Sequence, residues 1–469
     1  MVHRFANGPV ARGKSLHWDF EAIARGVGKG LRLCADLAGN RTIAAIGVDG
    51  WAVDYVRLRP DGRTVSDPFC YRDERNMEAA ERVHKIISPE QLYRLTGIQF
   101  LRFNTLYQLY ADGLAGMKQS TPWINLPEYL TMRLGGERLA EYTNATHTGM
   151  VDAKTRQWSR EILDVLGFDL GAAPRLVQPG TVAGQVSGEL ARVPAFRGTS
   201  LIVPACHDTA SAIAGIPAEG DDWAFISSGT WSLVGTVLDK PCATDDARKK
   251  NFTNLGGAGG RICFLKNVNG MWILRQCLEE WQASGHRWTI EELVQESAAL
   301  GEPDHLLEVD DPELLLVGNM TARINAQRKR AGFAVLRSDR AGILACTNVI
   351  LHSLAARYAE ILRDVAAITG KKIRRLYIVG GGSKNTVLNR LTEEKTGLDV
   401  VLGSPESSTV GNFAIQLAAL EAAGSGAARE SVARWASVLG SSPSAFAVSK
   451  ARRATVSRGD HIRKRGVGK

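Results

Sequence analysis

The chain has 469 residues, of which 44% are hydrophobic and 23% charged, proportions that exclude a disordered or fibrous protein. Its net charge of +9 gathers at the end: from Lys450 to Lys469 eight basic residues stand against the single acid Asp460, which leaves a nearly neutral body. No aromatic residue interleaves those charges, so a nucleic-acid partner is not expected. No window holds the roughly 18 consecutive apolar residues of a membrane span, so no membrane partner is expected either.

In chain order, Glu21–Ala38 has helical composition. Thr42–Val48 reads as a buried strand and Val53–Leu58 as a second, closed by the turn Pro60-Asp61-Gly62. Helices are expected over Asn76–Ile87, Pro89–Thr96 and Leu126–Leu134. Strand-like Leu201–Pro204 runs into Cys206-His207-Asp208-Thr209 and a small-residue segment, Ala210–Gly215. The pattern restarts near Gly220, where Trp223–Ser228 and Trp231–Leu238 read as a strand pair about a glycine turn. Ile350, Leu354, Tyr358, Ile361 and Val365 lie at helical spacing within 347–369, with Gly370 placed to end the helix. Strand-like Leu376–Val379 precedes Gly380-Gly381-Gly382 and a helix from Asn385. Leu398–Leu402 is a last strand, followed by a helix around 413–423. This is α/β organisation. Two domains are expected, 1–217 and 218–446, with a basic tail over 447–469.

Seven cysteines are scattered without a CxxC pair, which points to a reducing, cytoplasmic compartment rather than a disulfide framework. The nine histidines show no HExxH spacing, and no metal site built from side chains alone is expected.

Three turns after apolar strands can carry chemistry. Ser227-Ser228-Gly229-Thr230 offers backbone N–H groups and hydroxyls to phosphate oxygens, although alone it reads as a plain hairpin turn. Gly380-Gly381-Gly382 suits a nucleotide against the backbone, yet it is neither GxGxxG nor GxxxxGKS. In His207-Asp208-Thr209-Ala210-Ser211 the carboxylate can take a proton from a substrate hydroxyl. The plainer alternative is an aspartate capping the following helix. No G-x-S-x-G elbow supports a nucleophilic serine.

Taken together and in order, the chain resembles the FGGY carbohydrate kinases. The resemblance runs through Ile46-Gly47-Val48-Asp49-Gly50-Trp51-Ala52-Val53-Asp54, Cys70-Tyr71-Arg72-Asp73, Thr96-Gly97-Ile98-Gln99 and Phe103-Asn104-Thr105-Leu106-Tyr107-Gln108. It continues through Glu141-Tyr142-Thr143-Asn144-Ala145-Thr146, His207-Asp208-Thr209, Ser228-Gly229-Thr230-Trp231, Lys266-Asn267, Gly380-Gly381-Gly382 and Gly411-Asn412. It implies a two-domain actin-like fold with the active site in the cleft between domains. It also implies transfer of the γ-phosphoryl group of ATP, with Mg²⁺, to the 1-hydroxyl of a ketose: L-rhamnulose first, L-fuculose or a xylulose as alternatives. By the same resemblance Asp208 is the proton acceptor, and His207 and Thr209 contact the sugar. Thr230 approaches the transferring phosphate, Asn267 lines the sugar or interdomain site, and Gly381 holds the nucleotide. Sugar and ATP are thus the expected partners, and oligomeric state leaves no mark in the sequence.

Three departures from the family pattern stand out. Ala52 replaces a glycine whose backbone meets the sugar. Arg275, followed by Gln276, stands where relatives carry a glutamine that contacts ATP, and its guanidinium is expected to reach the nucleotide phosphates instead. The chain also opens, at Met1-Val2-His3-Arg4-Phe5, where relatives have already passed a strand–turn–strand hairpin that holds the first phosphate loop. That hairpin is about thirty residues, and its absence is expected to expose a sheet edge. Either an upstream start, an impaired kinase or a non-catalytic binding relative accounts for it.

Overall fold

The computed structural model describes residues 1–423 and 427–440; the expected basic tail lies outside the described residues. Asp19 caps α1 (Phe20–Ala38) by accepting the Ala22 N–H at 2.8 Å, and Gly39 closes it at φ 60°. The strand expected over 42–48 is reduced to β1 (Ala45–Ile46), because its parallel ladder runs only from Ala45 opposite Ser200 to Ile46 opposite Leu201. With β2 (Val182–Gln185) and β3 (Ser200–Ile202) it forms a three-stranded sheet in the order β1-β3-β2. β3 leads into α2 (Asp208–Ala214).

The strand expected from Val53 starts only at Tyr55. Val53 has φ 71° and sits at the centre of a γ-turn in which Asp54 N–H donates to Ala52 O at 3.0 Å. A β-branched residue rarely tolerates such a backbone. It is held there because its carbonyl accepts both Thr105 Oγ1 (2.7 Å) and Gln108 Nε2 (3.2 Å). Those two donors belong to a helix over Thr105–Leu114 that was not expected.

The second unit is built on one six-stranded sheet. β4 (Trp223–Ser228) and β5 (Trp231–Leu238) form the expected antiparallel pair, with Ser228 opposite Ser232. β6 (Thr253–Gly256) and β7 (Ile262–Asn269) extend the β5 side antiparallel. α3 (Trp272–Ala283) follows β7 directly. α4 (Arg340–Thr369) begins seven residues before the expected helix, since Asp339 accepts the Gly342 N–H and sets its first turn there; Gly370 ends it at φ 70°. β8 (Arg375–Val379) and β9 (Asp399–Leu402) join β4 in parallel, linked by α5 (Thr386–Thr396), and α6 (Ser407–Glu421) follows.

Residues of α3 and α4 pack with Ala224, Ile226, Val234 and Phe264 in the larger core, on one face of this sheet. Phe225, Leu233, Leu265 and Tyr377 face the other way, against Ile213 and Ile216 at the end of α2. That alternation is what a sheet covered on both faces requires. Among the described residues no helix is long and apolar enough to cross a membrane, and all seven cysteines are free.

Candidate active site

Two sheets deliver their strand ends to one cleft. In the first unit the β1–β3 pairing continues past the strands: Gly50 N–H donates to Cys206 O at 3.0 Å, and Asp208 N–H donates to Gly50 O at 2.8 Å. The loop Trp51-Ala52-Val53 is thereby laid alongside His207-Asp208. In the second unit β4 and β8 run parallel, with Ser227 opposite Val379. Their carboxyl ends therefore place the Gly229-Thr230 turn beside Gly380-Gly381-Gly382, the position where open α/β sheets take ligands. Together these segments enclose about 430 Å³, lined by Ala52, His207, Asp208, Thr209, Thr230, Asn267 and Gly381 among others.

The glycines at 380 and 382 are required by close approach. A Cβ on Gly380, at φ 81°, would stand 2.9 Å from Ser228 O, and one on Gly382 would stand 2.0 Å from Ser228 Oγ. A Cβ on Gly381 would meet nothing within 4 Å. The outer two glycines let the turn sit on β4, and the middle one presents bare backbone to the cleft.

Asp208 is the first residue of α2, and the N-cap position belongs to His207, which makes no side-chain cap bond. The capping alternative for Asp208 is therefore overturned: a cap must precede the helix to reach its first N–H groups. The Asp208 carboxylate accepts Thr209 Oγ1 at 3.2 Å and lies 3.5 Å from His207 Nε2, with 49% of its side chain exposed. Behind it, Asp49 is pushed up to about 7 by burial, with the charge of Asp208 adding to the shift. Hydrogen bonds from Asn412 and Ser211 oppose that rise, and its Oδ2 is buried without a partner.

The motif around Glu141 supports this loop. Glu141 Oε2 accepts the Cys206 N–H at 2.8 Å, and its other oxygen accepts the Thr143 N–H at 2.8 Å. Burial pushes Glu141 up to about 8 and neighbouring Glu128 up to about 7. Asp54, also pushed up to about 7 by burial, accepts the indole N–H groups of Trp18 (2.5 Å) and Trp51 (2.9 Å). It thereby fixes Trp51 in the cleft wall.

Across the cleft, Asn267 Nδ2 donates to Gln99 Oε1 at 2.9 Å, tying β7 to the first unit. Arg275 does not join the set; it is exposed on α3 and does not line the cleft. Gln276 is buried, donates to Glu279 and accepts the Gly318 N–H at 3.0 Å. The cleft residues His147, Pro405 and Ser408 fall outside every motif and element expected from the sequence. His147, one position beyond the last residue of the Glu141 motif, is buried and lies 3.0 Å from His207 Nδ1 through its Nε2. No spacing rule marks it, because the contact joins two loops 60 residues apart.

Two α/β units closing on a cleft that pairs a carboxylate with two glycine- or hydroxyl-bearing turns define a phosphoryl-transfer fold. Profiles of the FGGY family of carbohydrate kinases match residues 14–215 for the N-terminal domain and 224–420 for the C-terminal domain. The chain belongs to that family and is a carbohydrate kinase that uses ATP and a sugar. It is 36% identical over 426 residues to a rhamnulokinase of Enterococcus faecalis, covering 89% of this chain and 83% of that one. It is 34% identical over 420 residues to a rhamnulokinase of Bacteroides thetaiotaomicron, covering 88% and 84%. The fold matches a xylulose kinase of Rhodospirillum rubrum with TM-score 0.71 at 15% identity, covering 91% of this chain and 86% of that one. A Plasmodium falciparum glycerol kinase matches with TM-score 0.69 at 13% identity, covering 93% and 86%.

Proposed function

We propose that this kinase transfers the γ-phosphoryl group of ATP to the 1-hydroxyl of L-rhamnulose, giving L-rhamnulose 1-phosphate and ADP. The observation that carries the reading is the half-exposed Asp208 carboxylate, free of any capping role, in the same cleft as Thr230 and Gly381. The rhamnulokinases to which the chain is similar over most of its length supply the substrate.

In this reading Asp208 takes the proton of the attacking hydroxyl, the one proton transfer the reaction needs. His207 and Thr209 bind sugar hydroxyls on either side of it, and Asn267 holds the sugar from the second unit. Ala52 touches the sugar through its backbone. Thr230 donates to the transferring phosphoryl group, and Gly381 lets the nucleotide lie against the main chain. Arg275, outside the cleft lining, takes no part. The domain division falls at 217/218, with the sugar on the first side and the nucleotide on the second.

Mg²⁺ fits the donor set. The described residues hold no cluster of three or more metal-ligating side chains, and Mg²⁺ is commonly held by one or two carboxylates with phosphate oxygens and water. Asp49, whose Oδ2 is buried without a partner, would hold it, which leaves Asp208 free as the base. Bound there, the ion would supply charge neutralisation at the phosphates.

The test is ADP release and ³¹P spectroscopy with L-rhamnulose, L-fuculose and D-xylulose in parallel. We expect kcat/KM for L-rhamnulose to exceed the others by about tenfold or more, the scale of a few hydroxyl contacts. A higher value with another ketose would reassign the substrate.

A further inference from the structure

Two imidazoles meet at the Asp208 end of the cleft. His147 follows the short helix Tyr142–Thr146, and His207 stands just before α2. Their rings lie 4.0 Å apart at 64°, with His147 Nε2 and His207 Nδ1 at 3.0 Å. Both residues line the cleft, and both are 7% exposed. The His147 backbone is pinned, since its carbonyl accepts Asn104 Nδ2 at 3.0 Å and its N–H donates to Asn144 O at 3.1 Å.

A hydrogen bond between neutral imidazoles needs one proton and one lone pair, and the distance alone permits either direction. Asp208 breaks the symmetry. Its carboxylate is acceptor-only and lies 3.5 Å from His207 Nε2. At that distance the carboxylate charge disfavours a lone pair on Nε2 and favours the partial positive charge of an N–H there. With the His207 proton on Nε2, Nδ1 must accept, and its donor is His147 Nε2–H.

We propose that His147 is a positioning residue: its Nε2–H donates to His207 Nδ1 and so holds the His207 proton on Nε2, facing Asp208 and the sugar hydroxyl bound beside it. A second proton on the pair would set N–H against N–H across the 3.0 Å contact. The inference rests on the sugar-kinase reading only for its kinetic consequences; the tautomer itself is a property of the free protein.

The experiment uses the full chain labelled with ¹⁵N-histidine. Long-range ¹H–¹⁵N spectra near neutral pH should show His207 protonated on Nε2 and bare on Nδ1, with His147 protonated on Nε2. His147→Leu should shift His207 toward a tautomer mixture. It should also lower kcat/KM for L-rhamnulose about 10- to 100-fold, the scale of one unsatisfied buried partner, while KM for ATP stays put. His147→Gln, which can restore an N–H donor, should recover part of the loss. A wild-type His207 protonated on Nδ1, or a folded His147→Leu variant with unchanged sugar kinetics, would overturn the proposal. Should the leucine variant not fold, the wild-type spectra and the glutamine variant decide. A wild-type chain that phosphorylates no ketose would sink the functional reading, and the spectra alone would then support or overturn the role of His147.

Discussion

A methyl group on Gly411 would stand 1.8 Å from the carbonyl oxygen of Ser211. α6 therefore lies directly on α2, the helix that begins at Asp208, and Ser407 Oγ donates to Ala212 O at 2.7 Å in the same contact. One residue on, Asn412 Nδ2 donates to Gly47 O at 3.3 Å, so this helix also braces the loop that carries Asp49. Gly411→Ala should push the helices apart at backbone, where no flexible side-chain end can give way. The expected cost is about 1–3 kcal/mol of stability, read as a lower denaturation midpoint. Because α2 would move with Asp208 on it, kcat should fall too. An alanine variant of wild-type stability would refute the close approach.

Asp208→Asn keeps the side chain's size and the Thr209 contact while deleting the basic lone pair. Turnover of ketose should fall about 10²–10⁴-fold, with ATP affinity and thermal stability close to wild type. Steady-state kinetics beside nucleotide titration check this. Undiminished turnover would remove Asp208 from the base role.

The parts of this site that were legible in the sequence are those fixed by local rules. Ser88 at the cap, Pro89 at the first position and Gly97 at the end mark the helix Pro89–Thr96 to the residue. The Trp223–Ser228 and Trp231–Leu238 pair appears at its expected bounds because the glycine turn allows few alternatives. The helix Thr105–Leu114 was missed since Thr105, Leu106, Tyr107, Gln108 and Leu109 are all buried, which erases the one-sided periodicity a surface helix shows. Val53 hid the true strand start, because nothing local predicts positive φ in valine. His147 and the supporting roles of Glu141 and Gly411 rest on contacts between distant segments, and spacing carries no trace of those.

The three glycines of the nucleotide turn should respond differently to one added methyl group. Gly381→Ala enters open space, so thermal stability should hold while the methyl group occupies room beside the backbone, and KM for ATP should rise. Gly382→Ala collides with Ser228 Oγ at 2.0 Å, so it should lose about 1–3 kcal/mol of stability as well. Parallel melting curves and ATP kinetics separate the two. Equal melting temperatures for both variants would contradict the geometry.

The pH dependence of stability should carry the signature of buried acids. Glu141 sits at about 8 in the fold, against roughly 4.3 for a glutamate in an unfolded chain. Between those values the folded state holds a proton that the unfolded state releases, so the linkage slope is negative. Stability from this group is fully present below the unfolded value and is lost as pH rises toward 8. Glu128, Asp49 and Asp54, each at about 7, act in the same direction. Glu141→Gln removes one such titration. It also loses an acceptor, because an amide NH₂ cannot take both the Thr143 and the Cys206 N–H bonds. At low pH the variant should therefore be less stable than wild type by about 1–3 kcal/mol. As pH rises, wild type should lose stability faster, and the gap should narrow. Urea midpoints for both proteins, taken at steps across the window, measure it. A gap that stays constant from acid to mildly alkaline pH would mean that Glu141 titrates alike in the folded and unfolded chain, and the burial argument for the Glu141–Cys206 brace would fail with it.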